Sequence, residues 1–338
     1  MTQKLKLLVF IESIVIIFLL AYLANIHLNE KSKSSTTVPD NTNNKLSLLS
    51  PRISSGILEP KSFLIVNYAP LRAKLESYII KNNLNVSIYV ENLRSGGSMG
   101  INERRGFLPA SLNKVPLAIL IMQKVEDGRL SMDTMISIND SDRTNTSGSL
   151  YKTKEKHLPV RILVEKMLKE SDNTAFKTLQ HHADEDNMAL LLTYLDYYSE
   201  ESSDFTISNS DESFVTPKSM YNLFSSLYLS TVLNPEDSQY ILSLLTGTVF
   251  DIKRLAKLPI NVTVAQKFGS RYVGNEKNFH SCGIIYDDKI RLFYCIMTKD
   301  ISEDKAIKIV GLIVNNIYSY AFDTRKKLDL YKELEEIN

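Results

Sequence analysis

The chain has 338 residues, of which 43% are hydrophobic and 23% charged, and its formal net charge is +1. This composition is that of an ordinary globular protein, and it gives no reason to expect nucleic acid or any other strongly anionic partner. Two cysteines, Cys282 and Cys295, exclude a disulfide framework and a cysteine-based zinc site, while a single cross-strand disulfide and two buried thiols both stay open.

A basic and then strongly apolar segment opens the sequence. Lys4 and Lys6 precede LLVFIESIVIIFLLAYLANI, which is about long enough to cross a bilayer as a helix. A cleaved signal peptide would have a shorter apolar region and small residues at its cleavage site. We therefore predict an uncleaved signal anchor, a transmembrane helix over residues 1–27, in a single-pass protein of the cell membrane. The basic residues favour an internal N-terminus, with the remainder of the chain extracytoplasmic.

The segment that follows, residues 28–62, is rich in serine, threonine and asparagine and has neither a helical nor a strand period. We predict a flexible polar linker there. Residues 63–322 would form the folded domain, and residues 323–338 would form a highly charged C-terminal tail.

Apolar periodicity predicts the elements of the folded domain. In chain order they are a helix opening at Pro70, strands over 86–93 and 99–102, a helix opening at Ser111, helices over 160–169, 174–182, 186–197, 217–230 and 235–246, strands over 262–267, 283–286 and 290–298, and a helix over 302–320. An antiparallel sheet flanked by the terminal helices, with an all-helical lobe inserted, satisfies this order and gives an α+β fold. A cleft would then lie between the sheet and the lobe.

Ser111-Leu-Asn-Lys114 places a hydroxyl and an amine one helical turn apart at the start of a strongly apolar helix. A serine hydroxyl is a poor nucleophile until a base takes its proton, and a desolvated lysine is such a base. A serine at a helix start also presents its backbone N–H, with the positive end of the helix dipole, to an oxyanion. Because Ser-x-x-Lys also begins at Ser149 and at Ser302, the tetrapeptide alone does not establish this chemistry.

Two further motifs follow along the chain. Ser171-Asp-Asn173 lies between two predicted helices, and Lys267-Phe-Gly269 ends an apolar strand. Each has an ordinary structural explanation, since serine, aspartate and asparagine favour helix caps and turns, and glycine favours turns and bulges. The motifs become informative through their shared order and spacing.

Together the three motifs resemble the signature of the serine acyl-enzyme superfamily of class A β-lactamases and penicillin-binding proteins, which is Ser-x-x-Lys, Ser-Asp-Asn and Lys-Thr-Gly. Val215-Thr-Pro217 is similar to the family's Thr-Pro helix start, and Gly283-Ile-Ile-Tyr286 is similar to the strand after Lys-Thr-Gly. The resemblance implies a β-lactamase-like fold over nearly all of the predicted domain. It also implies hydrolysis of a β-lactam or a D-alanyl peptide substrate without a cofactor.

The resemblance implies a role for each motif. Ser111 would attack a carbonyl group and become acylated, while Lys114 takes its proton. Ser171 would pass a proton to the departing nitrogen. Asn173 would hydrogen-bond the amide side chain of the substrate and contact Lys114. Lys267 would supply positive charge, which favours a neutral Lys114 and attracts a substrate carboxylate.

Substrate binding is implied for the strand that carries Gly269. The backbone N–H groups of Ser111 and Ser270 would form the oxyanion hole. Phe268 departs from the family pattern, because the usual threonine hydroxyl helps to bind the substrate carboxylate and a phenyl ring cannot do so. Either Ser270 or Arg271 compensates for the missing hydroxyl, or the substrate is a different one.

The second departure from the family pattern concerns the base that would remove the acyl group. Class A β-lactamases hydrolyse the acyl-enzyme with a glutamate in a Glu-x-x-Leu-Asn context ahead of the Thr-Pro helix, and this chain has no such pentapeptide. Glu200 and Glu201 lie in the appropriate interval and are the candidates, although their polar surroundings equally suit a solvated loop. Without such a base the acyl-enzyme would persist.

Three functions therefore stay open. The first, which we predict, is a membrane-anchored β-lactamase-type hydrolase that acts through an acyl-Ser111 intermediate. The second is a D,D-carboxypeptidase or penicillin-binding protein acting on peptidoglycan stem peptides, and the third is a non-catalytic binding protein that kept the fold. We expect no metal, because the adjacent His181 and His182 point to different helix faces. We also expect a monomeric catalytic domain that contacts the membrane through the N-terminal helix.

Overall fold

The computed structural model describes residue 48 and residues 66–198, 214–273, 276–288 and 290–337. The predicted anchor and, apart from Leu48, the predicted linker lie outside the described residues. Within the described ranges, no helix is long and apolar enough to span a bilayer. The anchor stays a prediction from the sequence.

The described chain forms helices and strands in nearly the predicted order. The first part comprises α1 (Ala69–Lys81), β1 (Val86–Asn92), β2 (Ser98–Ile101), a 3₁₀ turn (Ala110–Asn113) and α2 (Lys114–Glu126). The middle part comprises β3 (Met135–Ser137), β4 (His157–Pro159), α3 (Val160–Lys169), α4 (Asn173–Gln180), α5 (Glu185–Tyr194), α6 (Pro217–Tyr228), α7 (Pro235–Thr246) and the short α8 (Ile252–Leu255). The last part comprises β5 (Thr263–Val273), β6 (Glu276–Tyr286), β7 (Arg291–Lys299) and α9 (Glu303–Ile337).

A five-stranded antiparallel sheet in the order β2–β1–β7–β6–β5 forms the centre of the fold. Successive side chains of a strand point to opposite faces, so each strand contributes to two cores. Ile88 and Ile296 belong to a core shared with α1 and α9, whereas Phe293 and Met297 belong to a second core shared with the helical block. The predicted α+β arrangement is confirmed: the terminal helices cover one face of the sheet and the helical lobe covers the other.

The last helix is longer than predicted. α9 continues from Glu303 through the charged tail to Ile337, whereas the sequence predicted an end near residue 320. The tail sequence TRKKLDLYKELEEI contains neither glycine nor proline and consists mainly of good helix formers, so nothing in it ends the helix. The β3–β4 ribbon and α8 are short elements that the periodicity did not predict.

The two cysteines form a disulfide bond, which was one of the two alternatives left open by the sequence. Cys282 on β6 lies directly opposite Cys295 on β7, and both side chains are fully buried. On its other side, Cys282 lies opposite Lys267 of β5. The bond therefore joins two strands immediately behind the lysine of the third motif.

Candidate active site

Ser111 lies in the 3₁₀ turn and does not open an α-helix as predicted, because α2 begins only at Lys114. In a 3₁₀ turn residues three apart eclipse each other, so the two side chains of the motif still meet. The preceding Ala110 has φ +49°, a left-handed conformation that is uncommon outside glycine. Such a conformation persists only where the surrounding structure holds it in place.

A buried histidine holds the segment ahead of Ser111. His280 of β6 donates a hydrogen bond from Nε2 to the carbonyl oxygen of Leu108 at 2.9 Å, and its ring meets Phe107 edge-on at 5.6 Å between centroids. Burial lowers the pKa of His280 to about 4, so the imidazole is neutral near pH 7. His280 could not be singled out from the sequence, because a lone histidine in a strand has no local signature of function.

The amine of Lys114 lies beside the predicted nucleophile. Its Nζ is 2.8 Å from Ser111 Oγ and 2.6 Å from Asn173 Oδ1. The side chain is 3% exposed. This burial lowers the pKa of Lys114 from 10.5 to about 7, although the Asp172 carboxylate acts in the opposite direction. A large fraction of Lys114 is therefore neutral near pH 7 and able to accept the proton of the serine hydroxyl.

A second serine–lysine pair completes the cluster. Lys267 Nζ donates a hydrogen bond to Ser171 Oγ at 2.9 Å, and both side chains are buried. Ser171 has φ +55°, which makes it another non-glycine residue in a left-handed conformation. Burial first, and the nearby charge of Lys114 second, lower the pKa of Lys267 well below its usual value. The cluster therefore contains two buried lysines, and both have a lowered pKa.

The middle residue of the second motif has a structural role. Asp172 is fully buried and caps α4 by accepting a hydrogen bond from the backbone nitrogen of Ala175 at 2.9 Å. Its other carboxylate oxygen accepts a hydrogen bond from the backbone nitrogen of Leu150 at 2.7 Å. The carboxylate thus fixes the turn from which Ser171 and Asn173 project.

Asn173 is held by hydrogen bonds at both ends of its amide. Its Oδ1 accepts from Lys114, and its Nδ2 donates to Thr146 Oγ1 at 2.7 Å. Because the oxygen faces the amine and the nitrogen faces a hydroxyl, one orientation of the amide is favoured. Thr146 carries no sequence signal, since it is brought to the site by the chain ahead of α3.

Gly269 of β5 packs against the nucleophile segment. A Cβ atom at this position would lie 2.9 Å from the carbonyl oxygen of Pro109 and 3.3 Å from the backbone nitrogen of Ser111. Only glycine therefore lets β5 approach the turn so closely. The approach brings the strand that carries Lys267 alongside Ser111.

The residues next to Gly269 make different side-chain contacts. Phe268 packs its ring 5.3 Å from that of Phe250, between centroids, and 4.5 Å from Lys267 Nζ. The hydroxyl of Ser270 donates to Glu303 Oε1 at 2.7 Å, a contact that the sequence did not predict. Arg271 is half-buried further along β5, opposite Asn278.

The predicted site residues thus fall into two groups. Ser111, Lys114, Ser171, Asn173 and Lys267 are linked by direct hydrogen bonds, or by charge coupling between the two lysines. The candidate deacylating bases Glu200 and Glu201 lie outside the described residues. Of the described side chains, no three from histidine, cysteine, aspartate and glutamate are grouped so that they could hold a metal ion.

The two ends of the interval that contains these glutamates are tied to the site. Tyr198 and Val215 form an antiparallel bridge, and Val215 also bridges to Phe107. Next to this bridge, the hydroxyl of the fully buried Tyr197 donates a hydrogen bond to Asn113 Oδ1 at 3.1 Å. Since Asn113 follows Ser111 in the same 3₁₀ turn, the interval starts and ends close to the nucleophile segment.

Comparison with known proteins finds a match to a family model and similarity to solved structures. Residues 70–321 match the model of the Beta-lactamase enzyme family. No curated protein matches the chain at a significant level. The family match covers the whole of the site described above, from the 3₁₀ turn to α9.

Several solved structures share the fold. PBP-A has a TM-score of 0.65 and 18% identity, over 75% of this chain and 98% of that one. TLA-1 extended-spectrum β-lactamase has a TM-score of 0.66 and 19% identity, over 75% and 98%. A β-lactamase from Chitinophaga pinensis has a TM-score of 0.66 and 20% identity, over 75% and 99%. A mutant of PBP-A has been solved as an acyl-enzyme complex with penicillin G.

Proposed function

Because the chain belongs to the Beta-lactamase enzyme family, we propose that it is a serine hydrolase that opens β-lactam amide bonds through an acyl-Ser111 intermediate. The observation that carries the proposal is the position of Lys114 Nζ, which lies 2.8 Å from Ser111 Oγ with a pKa of about 7. A neutral amine at hydrogen-bond distance is what general-base activation of a serine requires.

Acylation follows from the positions of these groups. Ser111 Oγ attacks the carbonyl carbon while its proton passes to Lys114, and the carbonyl oxygen becomes an oxyanion. When the tetrahedral intermediate collapses, the carbonyl double bond re-forms and the carbon–nitrogen bond breaks. Ser171 gives its hydroxyl proton to the departing nitrogen, and the proton held by Lys114 replaces it. Lys114 and Ser171 then end the step in the protonation states in which they began it.

The oxyanion would be stabilised by backbone N–H groups. The nitrogen of Ser111 lies within 3.3 Å of the place where a Cβ of residue 269 would sit, so the edge of β5 and the 3₁₀ turn are in contact there. The N–H groups of Ser111 and Ser270 are the donors that we assign to the oxyanion hole. Asn173, already fixed by Lys114 and Thr146, would bind the amide side chain of the substrate.

Removal of the acyl group separates two candidate functions. Glu200 or Glu201 would activate the hydrolytic water in a β-lactamase. This assignment is supported by the contacts of the residues that flank their interval, since Tyr197 donates a hydrogen bond to Asn113 in the turn of Ser111 and Tyr198 bridges to Val215. The missing Glu-x-x-Leu-Asn pentapeptide favours the alternative, a D,D-carboxypeptidase or penicillin-binding protein that acts on D-alanyl stem peptides and releases a penicilloyl group slowly.

The cellular location belongs to the same proposal. The apolar segment over residues 1–27 would anchor the protein in the cell membrane, with the catalytic domain extracytoplasmic. The Cys282–Cys295 disulfide supports an oxidising compartment, because cytosolic proteins rarely keep such bonds.

The test is the intact mass of the full-length protein after benzylpenicillin treatment, followed over time. The proposal expects an adduct with the mass of one added benzylpenicillin, absent from Ser111→Ala. Rapid return to the free mass identifies a β-lactamase, and an adduct that lasts for hours identifies the peptidase alternative. A wild-type protein that never acquires the adduct would contradict both and support the non-catalytic binding protein.

A further inference from the structure

Two adjacent strands, β5 and β6, face the segment ahead of Ser111. Gly269 and His280 lie directly opposite each other in these strands, and directly paired residues point to the same face of a sheet. A Cβ atom on Gly269 would meet the carbonyl oxygen of Pro109 and the backbone nitrogen of Ser111, so this face is the one that carries the nucleophile turn. The imidazole of His280 therefore lies next to Gly269, on the side of the sheet where Ser111 lies.

His280 contacts the backbone of this segment directly. Its side chain is fully buried, and its Nε2 donates a hydrogen bond to the carbonyl oxygen of Leu108 at 2.9 Å. The ring also meets Phe107 edge-on. Phe107 is fixed independently, because its backbone N–H and carbonyl groups exchange hydrogen bonds with Val215 at 2.9 Å each. The hydrogen bond from His280 thus acts on the next peptide group along the chain, which links Leu108 to Pro109.

The orientation of that peptide group is passed on toward Ser111. Pro109 has φ −67°, and its ring keeps this angle within about 15° of −65°, so a rotation of the plane ahead of the proline moves the residues after it. Ala110 follows with φ +49°, a strained conformation that persists only where the surrounding structure holds it. The direction of the Ser111 N–H therefore depends on where the Leu108 carbonyl group is held.

From these contacts we propose that His280 is a positioning residue of the oxyanion hole, which holds the backbone N–H of Ser111 in the direction that the developing oxyanion requires. The inference rests on the proposed acylation of Ser111, and His280 acts in it through the backbone of residues 108–110. Gly269 makes room for the turn, and His280 orients it. A donor that is oriented before the substrate arrives needs no reorganisation during the reaction.

The experiment compares variants of the purified full-length protein in detergent. His280→Phe keeps a ring beside Phe107 and removes the donor, whereas His280→Gln keeps an N–H donor of similar reach. Ser281→Ala is the matched control, because it removes a buried hydroxyl from the neighbouring position of β6, which faces the other side of the sheet and hydrogen-bonds with Gln266 and Tyr294. Urea unfolding establishes that each variant is folded at the assay temperature.

The first measurement is the acylation rate of Ser111 as a function of benzylpenicillin concentration, followed by rapid-quench mass spectrometry. An oxyanion donor acts on the transition state and not on substrate binding. His280→Phe should therefore lower the rate at saturation by about 10- to 100-fold and leave the half-saturating concentration within about threefold. His280→Gln and Ser281→Ala should both stay within about threefold of the wild-type rate.

The second measurement is the infrared band of the ester carbonyl group in the acyl-enzyme, formed from benzylpenicillin that is isotope-labelled at the β-lactam carbonyl and recorded after rapid mixing. Hydrogen bonds from the oxyanion hole weaken this C=O bond and lower its frequency. In His280→Phe the band should move to higher frequency, toward that of the same ester in the urea-unfolded acyl protein. In His280→Gln it should stay at the wild-type position. A merely structural role of His280 would not move the band.

A further variant leaves His280 in place. Pro109→Ala removes the ring through which the orientation is passed on, so it should also lower the rate at saturation and move the carbonyl band to higher frequency. Its effect should not add to that of His280→Phe, because both substitutions release the same N–H group. Pro109→Ala tests the inference even where His280→Phe does not fold.

Equal rate losses in His280→Phe and Ser281→Ala overturn the inference, as does a carbonyl band that His280→Phe leaves in place. Where His280→Phe does not fold, a Pro109→Ala protein with the wild-type rate and band overturns it. These results leave the proposed function standing, because Ser111 is still acylated. A wild-type protein that acquires no adduct from benzylpenicillin overturns the proposed function and this inference with it.

Discussion

Lys267 Nζ lies 2.9 Å from Ser171 Oγ, and both side chains are buried within the site, where Lys114 also lies. Burial lowers the pKa of both lysines, and the charge of Lys114 lowers that of Lys267 further. The protein thereby holds a neutral amine at neutral pH without any acidic partner in direct contact with it among the described hydrogen bonds. The acylation proposed for Ser111 depends on this neutral amine.

The first prediction concerns pH. Since the pKa of Lys114 is lowered to about 7, its neutral fraction falls tenfold for each pH unit below that value and is complete above it. The acylation rate of Ser111 by benzylpenicillin should therefore rise through about pH 7 and then level off. Rapid-quench mass spectrometry between pH 5 and 9 measures this profile. Lys114→Met should lower the plateau by roughly 10²- to 10⁴-fold and abolish the inflection.

The second prediction concerns the contact between β5 and the nucleophile turn. Gly269→Ala should lower the acylation rate by about 10- to 100-fold, because the new Cβ displaces the backbone around Ser111 and small misplacements of reacting groups are costly. Gly97→Ala is the control, since a Cβ there meets its neighbours only at ordinary distances of 3.5 Å and more. Equal activity of Gly269→Ala and wild type would mean that the turn adjusts freely.

The third prediction concerns the disulfide. Cys282 and Cys295 are 13 residues apart in sequence, and closing a loop of this size stabilises a protein by about 2–3 kcal/mol. Replacing both cysteines with alanine should lower the free energy of unfolding by that amount in urea titrations. Reductant should destabilise the wild type and leave the double variant unchanged. If reductant leaves the wild type unchanged too, the bond does not contribute to stability.

The fourth prediction concerns His280. Its pKa is about 4 in the folded protein and 6.5 in the unfolded chain, so the unfolded state binds more protons between these values. The stability that this histidine contributes is complete above about pH 6.5 and is lost as the pH falls toward 4, by about 3 kcal/mol in total. Urea unfolding at pH 7 and pH 4.5 should show a smaller loss in His280→Asn than in the wild type. Parallel losses in both proteins would assign the effect to other groups.

The fifth prediction concerns the release of the acyl group. If the interval between Tyr198 and Val215 supplies the base, Glu200→Gln or Glu201→Gln should slow release of the penicilloyl group by about 10²-fold or more while leaving acylation within a few-fold. Intact mass measured over time separates the two steps. Unchanged release in both single variants and in the double variant would remove these glutamates from the mechanism.

The sequence alone predicts which residues meet at this site better than it predicts the contacts that hold them in place. Ser111 and Lys114 are three residues apart, and Ser171 and Asn173 are two apart, so each pair is visible as a contiguous motif whose spacing has a chemical reason. The order of helices and strands was predictable for a similar reason, because apolar periods are local. The end of α9, the short elements, the extension of β5 to Val273 and the start of β6 at Glu276 escaped, since each depends on weak local signals or on pairing with a distant strand.

The supporting contacts could not be predicted because they join residues far apart in the chain. His280 reaches Leu108 across 172 positions, and Ser270 reaches Glu303 across 33. Neither histidine nor glutamate in such surroundings differs locally from an ordinary core or surface residue. The 3₁₀ turn at Ser111 escaped for another reason: it is fixed by the approach of β5 at Gly269, and no local propensity demands it.

The bridge between Tyr198 and Val215 joins two residues that are 17 positions apart in the sequence. Both residues lie close to the turn of Ser111, because Val215 also bridges to Phe107 and the neighbouring Tyr197 donates a hydrogen bond to Asn113. In the proposed mechanism, attachment of the acyl group uses Ser111 and Lys114, whereas its removal is assigned to Glu200 or Glu201. The two steps would then depend on different parts of the sequence, and a substitution could change one of them without the other.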